Sequence, residues 1–260
     1  MARMSKDNVG RFFAALAAER PDPTTELAYI NAYTLLVAVV LSAQSTDIGV
    51  NKATAELFKT VDTPAKMIEF GEARLRDAIK TIGLFRTKAA NVIRLSEILV
   101  QKHGGEVPDN REALEELPGV GRKTANVVLN VAFGHPTIAV DTHIFRLANR
   151  TGLAPGKDPR AVEEGLDAIV PEQYLRHAHH WLILHGRYVC TARNPKCAAC
   201  VVRDLCLYEA KTTADVAASS ASPARRPSNR GRASSARATG RRAPRRARRR
   251  GATSRGGTAR

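Results

Sequence analysis

The stretch that most constrains this chain is Leu117–Asn130, which reads Leu-Pro-Gly-Val-Gly-Arg-Lys-Thr-Ala-Asn-Val-Val-Leu-Asn. Pro118, Gly119 and Gly121 cannot continue a helix cheaply. The residues that follow are apolar almost all round, which predicts a buried helix over Arg122–Phe133. The pattern therefore predicts a helix, a tight turn and a second helix. Backbone N–H groups in such a turn can approach an anion closely, and the positive end of the next helix adds to the attraction, so the turn suits a DNA phosphate.

Lys123 lies in the first turn of this predicted helix, where the helix end is itself positive. An amine is a nucleophile only when it is neutral, and an ordinary lysine is almost entirely charged near pH 7. A helix end contributes at most about 2 kcal/mol against that charge, so desolvation in a closed pocket has to supply most of the change. From spacing alone, two interpretations stay open: a nucleophilic lysine, or a lysine that only contacts phosphate.

All four cysteines fall in one short C-terminal segment with the spacing Cys-x6-Cys-x2-Cys-x5-Cys. They are Cys190, Cys197, Cys200 and Cys206. In a reducing compartment this arrangement indicates metal ligands rather than disulfides. Zinc and a [4Fe–4S] cluster both accept four thiolates, and ligand softness does not separate them. A loop anchored at both ends by metal would point Arg193 and Lys196 outward, where we expect them to contact DNA backbone phosphates.

Two further turns carry residues suited to a DNA surface. Gln44 lies in a polar turn after an apolar helix, and helix capping alone would explain that turn. Leu84 lies on a glycine-containing turn close to Arg86 and Lys88. An exposed Leu84 suits an apolar wedge between bases, flanked by phosphate contacts from the two cations. A hydrophobic staple that ties the turn to the core is the alternative.

Composition limits the fold and the location. Helical patterns recur along the chain and no run alternates long enough to predict a strand, so we expect an all-α fold. Residues 211–260 hold fourteen Arg, one Lys and one Asp, which leaves the rest of the chain nearly neutral. This tail has no apolar face and is predicted to be disordered and to hold nucleic acid non-specifically. The start lacks a signal-peptide pattern and no apolar run could span a bilayer, so an intracellular protein without a membrane partner is expected.

Leu117–Asn130, the segment Val140-Asp141-Thr142-His143-Ile144-Phe145-Arg146 and the cysteine spacing resemble the endonuclease III family of DNA glycosylases. The resemblance covers roughly residues 8–210. It implies that Lys123 is the catalytic nucleophile, that Asp141 is the catalytic carboxylate, and that the cysteines hold a [4Fe–4S] cluster. It also implies that Gln44 fills the gap left by an extruded nucleotide and that Leu84 is a second wedge. The DNA contacts that we predict in all are Gln44, Leu84, Lys88, Gly119, Gly121, Arg146, Arg193 and Lys196.

The resemblance further implies a bifunctional DNA glycosylase and AP lyase that removes oxidised or ring-saturated pyrimidines from duplex DNA. Its partner would be double-stranded DNA with damaged bases or abasic sites, and the protein would act as a monomer in the cytoplasm, on the nucleoid. Two alternatives are a monofunctional mismatch glycosylase of the same superfamily and a non-catalytic DNA-binding protein with a zinc-type module. The family architecture divides the chain into a helical domain, 25–134, and a second lobe that joins 1–24 to 135–210, followed by the tail.

Overall fold

The computed structural model describes residues 2–212, and nearly all of the predicted basic tail, 211–260, lies outside them. Within the described part of the chain the regular secondary structure is helical and contains no strand, which confirms the all-α prediction. The helices are α1 Lys6–Glu19, α2 Ala32–Ser42, α3 Asp47–Thr54, α4 Pro64–Phe70, α5 Glu72–Ala78, α6 Phe85–His103, α7 Arg111–Glu115, α8 Arg122–Phe133, α9 Thr142–Thr151, α10 Pro159–Ile169 and α11 Glu172–Tyr188. No helix among these residues combines the length and the apolar character that crossing a bilayer requires.

The helix ends follow from local side-chain chemistry. Short polar side chains accept hydrogen bonds from the first-turn backbone N–H groups of most helices, which satisfies donors that a helix start leaves unpaired. These capping residues are Ser5, Asn31, Thr46, Thr63, Asn110, Asp141 and Asp158. At the other end, α6, α8 and α9 stop at glycines in the left-handed conformation, Gly104, Gly134 and Gly152.

The buried hydrophobic side chains form two separate clusters. The first lies between Leu27 and Leu129 and is built around α2, whose residues from Tyr33 to Leu41 are all buried. The second joins the start of the chain, Met4 to Leu16, to residues 138–202. Residues at the two ends of the described chain therefore share one core, and α8 with the hairpin before it belongs to the other.

Aromatic stacking fixes α1 on α11 in the second cluster. The ring centroids of Phe13 and Tyr174 are 5.9 Å apart, and those of Phe13 and Trp181 are 6.4 Å apart. The Trp181 indole also donates a hydrogen bond of 2.8 Å to the backbone carbonyl of Arg20. These contacts hold the chain where it leaves α1 and runs towards the first cluster.

Candidate active site and cysteine loop

The two glycines of the hairpin between α7 and α8 differ in what they do. Gly119 has φ +82°, and a Cβ there would lie 3.0 Å from Asn91 Nδ2 and 3.2 Å from Val40, so both backbone and packing demand glycine. Gly121 has an ordinary φ, and an added Cβ would meet nothing within 4 Å. It precedes α8 without capping it through a side chain, so the first N–H groups of α8 have no side-chain acceptor at this position. Binding of a DNA phosphate at this turn stays a prediction.

Lys123 is exposed in the DNA-free protein and lines a cleft of about 540 Å³. Side chains from α2, α3, α8, α11 and the segment before α2 border the same cleft, among them Glu26, Asp47, His179, His180 and Arg187. The sequence predicted a closed pocket around the lysine, and that expectation is wrong for the free chain because the cleft is open. If Lys123 is a nucleophile, a partner that covers the cleft has to remove the water around its amine.

Asp141, which the resemblance implies is the catalytic carboxylate, caps α9. Its Oδ1 accepts hydrogen bonds of 2.8 Å from the backbone N–H groups of His143 and Ile144, which fixes the carboxylate. Among residues 2–212 nothing donates to Oδ2, and Asp141 forms no ion pair with Lys123. Asp141 is half-buried and is not one of the side chains that border the lysine cleft.

Arg187, Asp47 and Glu26 form an ionic network at the cleft. Arg187, on α11, donates to Asp47 across 2.6 Å and also pairs with Glu26, which accepts a hydrogen bond from Tyr188 as well. Burial opposes the charge of Arg187, but Asp47 and Glu26 raise its pKa above the ordinary value. The sequence does not reveal this network, because Glu26, Asp47 and Arg187 lie far apart in the chain.

Two buried histidines of α11 form part of the cleft wall. Burial lowers the pKa of His179 to about 3, helped by the charges of His180 and Lys123, and lowers that of His180 to about 4. Both are therefore neutral at pH 7 and add no positive charge beside the lysine. Within residues 2–212, His179 Nδ1 and both ring nitrogens of His180 are buried without a hydrogen-bond partner.

The two predicted wedge residues share an unusual backbone. Gln44 and Leu84 have φ of 54° and 56°, and they are the two non-glycine residues with positive φ in the described part of the chain. Both side chains are exposed, Leu84 by 57%. Their turns are neighbours, because a Cβ on Gly83 would lie 3.6 Å from the Gln44 carbonyl oxygen. A leucine exposed on a strained turn is not a hydrophobic staple, so the wedge interpretation fits Leu84 better.

Lys88 corrects one of the predicted DNA contacts. The residue is only 4% exposed, and its Nζ donates a hydrogen bond of 2.8 Å to Ser45 Oγ. Burial lowers the pKa of Lys88. Helix α6 begins at Phe85, so Lys88 lies in its first turn and points inward, while Arg86 is exposed. Lys88 thus ties α6 to the Gln44 turn instead of reaching for phosphate.

The four cysteines border one cavity of about 370 Å³, and none of them forms a disulfide. Four cysteine sulfurs around one cavity could hold zinc or a [4Fe–4S] cluster, and the side chains alone leave both open. Burial raises the pKa of the Cys200 thiol to about 11 and also raises that of Cys206. These thiols need bound metal to become thiolates at neutral pH.

Arg146, another predicted DNA contact, is half-buried and bonds to the protein backbone in the free chain. Its guanidinium donates to the backbone carbonyls of Cys190, at 3.0 Å, and Gly186, at 2.6 Å. It therefore ties α9 to the end of α11 and the start of the cysteine loop. Arg193 and Lys196, by contrast, are exposed on that loop, as predicted.

Residues 37–172 match the HhH-GPD superfamily of base excision DNA repair proteins, the class to which the hairpin beside an open cleft points. Residues 190–206, which begin and end on cysteines of the loop, match the iron–sulfur binding domain of endonuclease III. The zinc alternative is therefore wrong, and the cofactor is the [4Fe–4S] cluster that the resemblance implied.

Individual relatives agree with this match. Endonuclease III of Haemophilus influenzae is 57% identical over 208 residues, which span 80% of this chain and 99% of that protein. The Escherichia coli K12 enzyme is 55% identical over the same shares. A solved structure described as a trapped endonuclease III–DNA covalent intermediate has a TM-score of 0.74 and 44% identity, and covers 78% of this chain and 96% of its own. The chain belongs to the endonuclease III family, whose members are base excision repair DNA glycosylases and AP lyases.

Proposed function

We propose that this protein removes oxidised pyrimidines from duplex DNA as a bifunctional glycosylase and AP lyase, with Lys123 as the nucleophile. The observation that carries the proposal is the position of Lys123: it lies in the first turn of α8, directly after the hairpin, and borders an open cleft. The trapped covalent DNA complex of a relative with 44% identity supports the same chemistry here.

In the proposed reaction, DNA covers the cleft and the damaged nucleotide is extruded into it, at an unstacking cost of a few kcal/mol that is smallest for damaged bases. Covering the cleft removes water from Lys123, which favours its neutral form. Lys123 Nζ then bonds to C1′ while the bond to the base breaks, and opening of the sugar leaves an imine. Loss of a proton from C2′ allows β-elimination of the 3′ phosphate.

Asp141 is the group proposed to move protons and to face the cationic sugar. Its capping bonds fix the carboxylate through Oδ1 and leave Oδ2 without a donor in the described residues. The absence of an ion pair with Lys123 supports this role, because a tight pair would keep the amine charged. The carboxylate would act across the sugar rather than directly on the lysine.

DNA is proposed to be held on both sides of the lesion. The N–H groups after Gly121, which no side chain caps, would bind one phosphate, and the exposed Arg193 and Lys196 would bind others. When the cluster is bound, it fixes the loop that presents these two cations. Gln44 and Leu84 would occupy the space that the extruded nucleotide leaves in the duplex.

The two hydrophobic clusters support the proposed division into a domain at 25–134 and a lobe formed by 1–24 and 135–210. We further propose that the protein acts as a monomer, in the compartment that holds the DNA. The Arg-rich residues 211–260 would add non-specific affinity for nucleic acid because of their charge.

Borohydride trapping tests the role of Lys123. We expect the active, iron-replete protein to form a covalent adduct with abasic-site DNA in borohydride, and Lys123→Ala to bind the same DNA without forming one. No adduct from the active protein would remove the lyase assignment. Base release without an adduct would favour the monofunctional alternative, and binding alone would favour a non-catalytic protein.

Asp141 is tested by two substitutions that separate its capping role from its charge. Asn is a good helix cap, so Asp141→Asn should fold normally and slow single-turnover base excision by roughly 10²–10⁴-fold. Asp141→Ala should slow base excision by a similar factor. It should also lower the free energy of unfolding in urea by about 1 kcal/mol, because the cap is lost. Equal rates for Asp141→Asn and the unmodified protein would limit Asp141 to capping.

A further inference from the structure

His185 contacts two of the four cluster cysteines at once. It lies on α11 and is 4% exposed. Its backbone carbonyl accepts a hydrogen bond of 2.8 Å from the N–H of Cys190. Its side-chain Nε2 lies 3.3 Å from Cys200 Sγ. One residue therefore spans the gap between the first and third cysteines of the loop.

The surroundings of the ring decide which nitrogen carries the proton. Nδ1 of His185 is buried and has no hydrogen-bond partner in the described residues. A neutral imidazole has one N–H donor and one acceptor nitrogen. When Cys200 is a thiolate bound to iron it carries no proton, so the contact is attractive only if Nε2 holds the hydrogen. A proton on Nδ1 would instead leave a buried donor unsatisfied and set two lone pairs against each other.

The other sulfur contacts in the loop are weaker. Cys206 Sγ accepts from the backbone N–H of Tyr208 at 3.5 Å, and Cys190 Sγ lies 3.9 Å from an Arg150 nitrogen that also donates to the Thr191 carbonyl at 2.6 Å. Of the two side-chain hydrogen bonds to cysteine sulfurs within residues 2–212, the one from the His185 ring is the shorter. It is held there by burial on a helix rather than on the loop itself.

We propose that His185 is a positioning residue for the iron–sulfur cluster, donating a hydrogen bond from Nε2 to the Cys200 sulfur. This bond withdraws electron density from the sulfur, so it stabilises the more reduced state of the cluster and shifts its reduction potential upward. It also links the loop to α11, the helix that carries Arg187 and His179 to the lysine cleft. The proposal rests on the iron–sulfur domain and not on the chemistry of Lys123.

The test measures the cluster and not the glycosylase. The potential is recorded by voltammetry of the full-length holoprotein, and cluster retention by the decay of its visible absorbance in a chelator. We expect His185→Phe, which keeps an aromatic ring without N–H, to shift the potential to more negative values and to lose the cluster about tenfold faster. His185→Gln can place an amide N–H near the same point and should restore much of both. His180→Phe, on the same helix and also at a buried position, is the matched control and should leave the potential unchanged.

The outcomes separate the proposal from its alternatives. An unchanged potential in a folded His185→Phe protein would overturn the hydrogen bond. A His185→Gln protein that behaves like His185→Phe would reduce the role to packing. Where Phe does not fold, His185→Leu replaces it, and the comparison with Gln stands. Loss of the borohydride adduct has no bearing on these results, so the two proposals fail independently.

Discussion

The starts of α6 and α8 have similar sequences and different structures. In each, a glycine-containing turn leads into a helix with a lysine in its first turn, Lys88 in α6 and Lys123 in α8. At α8, Gly119 takes the positive φ and the lysine is exposed on a cleft. At α6, the non-glycine residue Leu84 takes the positive φ and the lysine is buried against Ser45. The turn before α8 leaves the Lys123 amine exposed on the cleft. At the start of α6, the Lys88 amine instead holds a strained turn in place.

The largest expected difference between the two lysines is in activity. Lys123→Met should lower the rate of adduct formation and base excision by on the order of 10⁴-fold or more, because it removes the bond-forming atom. Lys88→Met should leave adduct yield within about twofold, since Lys88 does not reach the cleft. The same borohydride assay measures both. A comparable loss in the two variants would contradict the assignment of Lys123 to catalysis and of Lys88 to structure.

Substitutions of Leu84 should change stability and activity in opposite directions, because its backbone is strained and its side chain is the proposed wedge. A left-handed conformation costs a leucine roughly 1–2 kcal/mol, and glycine and asparagine pay less. Leu84→Gly and Leu84→Asn should therefore keep or raise the free energy of unfolding, by up to about 1 kcal/mol as measured by urea unfolding. Both should excise a base from a paired duplex about tenfold more slowly, because the wedge is lost.

A matched substrate sharpens the Leu84 test. The excision defect should shrink when the lesion lies in single-stranded DNA, where no gap has to be filled. A defect of the same size in both substrates would indicate a role for Leu84 in the cleft rather than in the duplex.

The Lys88–Ser45 pair should matter for stability and not for catalysis. Ser45→Ala leaves a buried ammonium without its partner and should cost about 1–3 kcal/mol. Lys88→Met removes the charge and, with it, the cost of burying that charge, so it should lower stability less than Ser45→Ala does. Because burial lowers the pKa of Lys88 in the folded state, the folded protein binds fewer protons than the unfolded chain between that pKa and the ordinary value of 10.5. Stability should therefore gain from this group as pH rises through that window.

Urea unfolding at several alkaline pH values measures this contribution. Its rise with pH should be flatter in Lys88→Met than in the unmodified protein. Identical pH profiles would mean that Lys88 keeps its ordinary solvation, contrary to its burial.

Local chemistry made the helices and several site residues predictable. Turn glycines and apolar patterns act within a few residues, so α8 was predicted with its observed bounds. The orientation of a cation is not local. Lys88 and Arg146 were predicted to contact DNA, and in the free chain each bonds to a partner more than forty positions away, Ser45 or Cys190, which no local pattern reveals. The Glu26–Arg187 pair was missed for the same reason.

The smallest expected effect is in the salt dependence of binding to undamaged DNA. Each phosphate contact that is lost should flatten the plot of log K against log salt by about 0.9. Arg193→Ala and Lys196→Ala should each do so, because both side chains are exposed on the cysteine loop. Lys88→Met should leave the slope unchanged, because a buried amine releases no counterion from DNA. If Lys88→Met flattened the slope as much as Lys196→Ala, the α6 turn would have to open on DNA and expose its lysine, and the contrast between the two helix starts would hold only for the free protein.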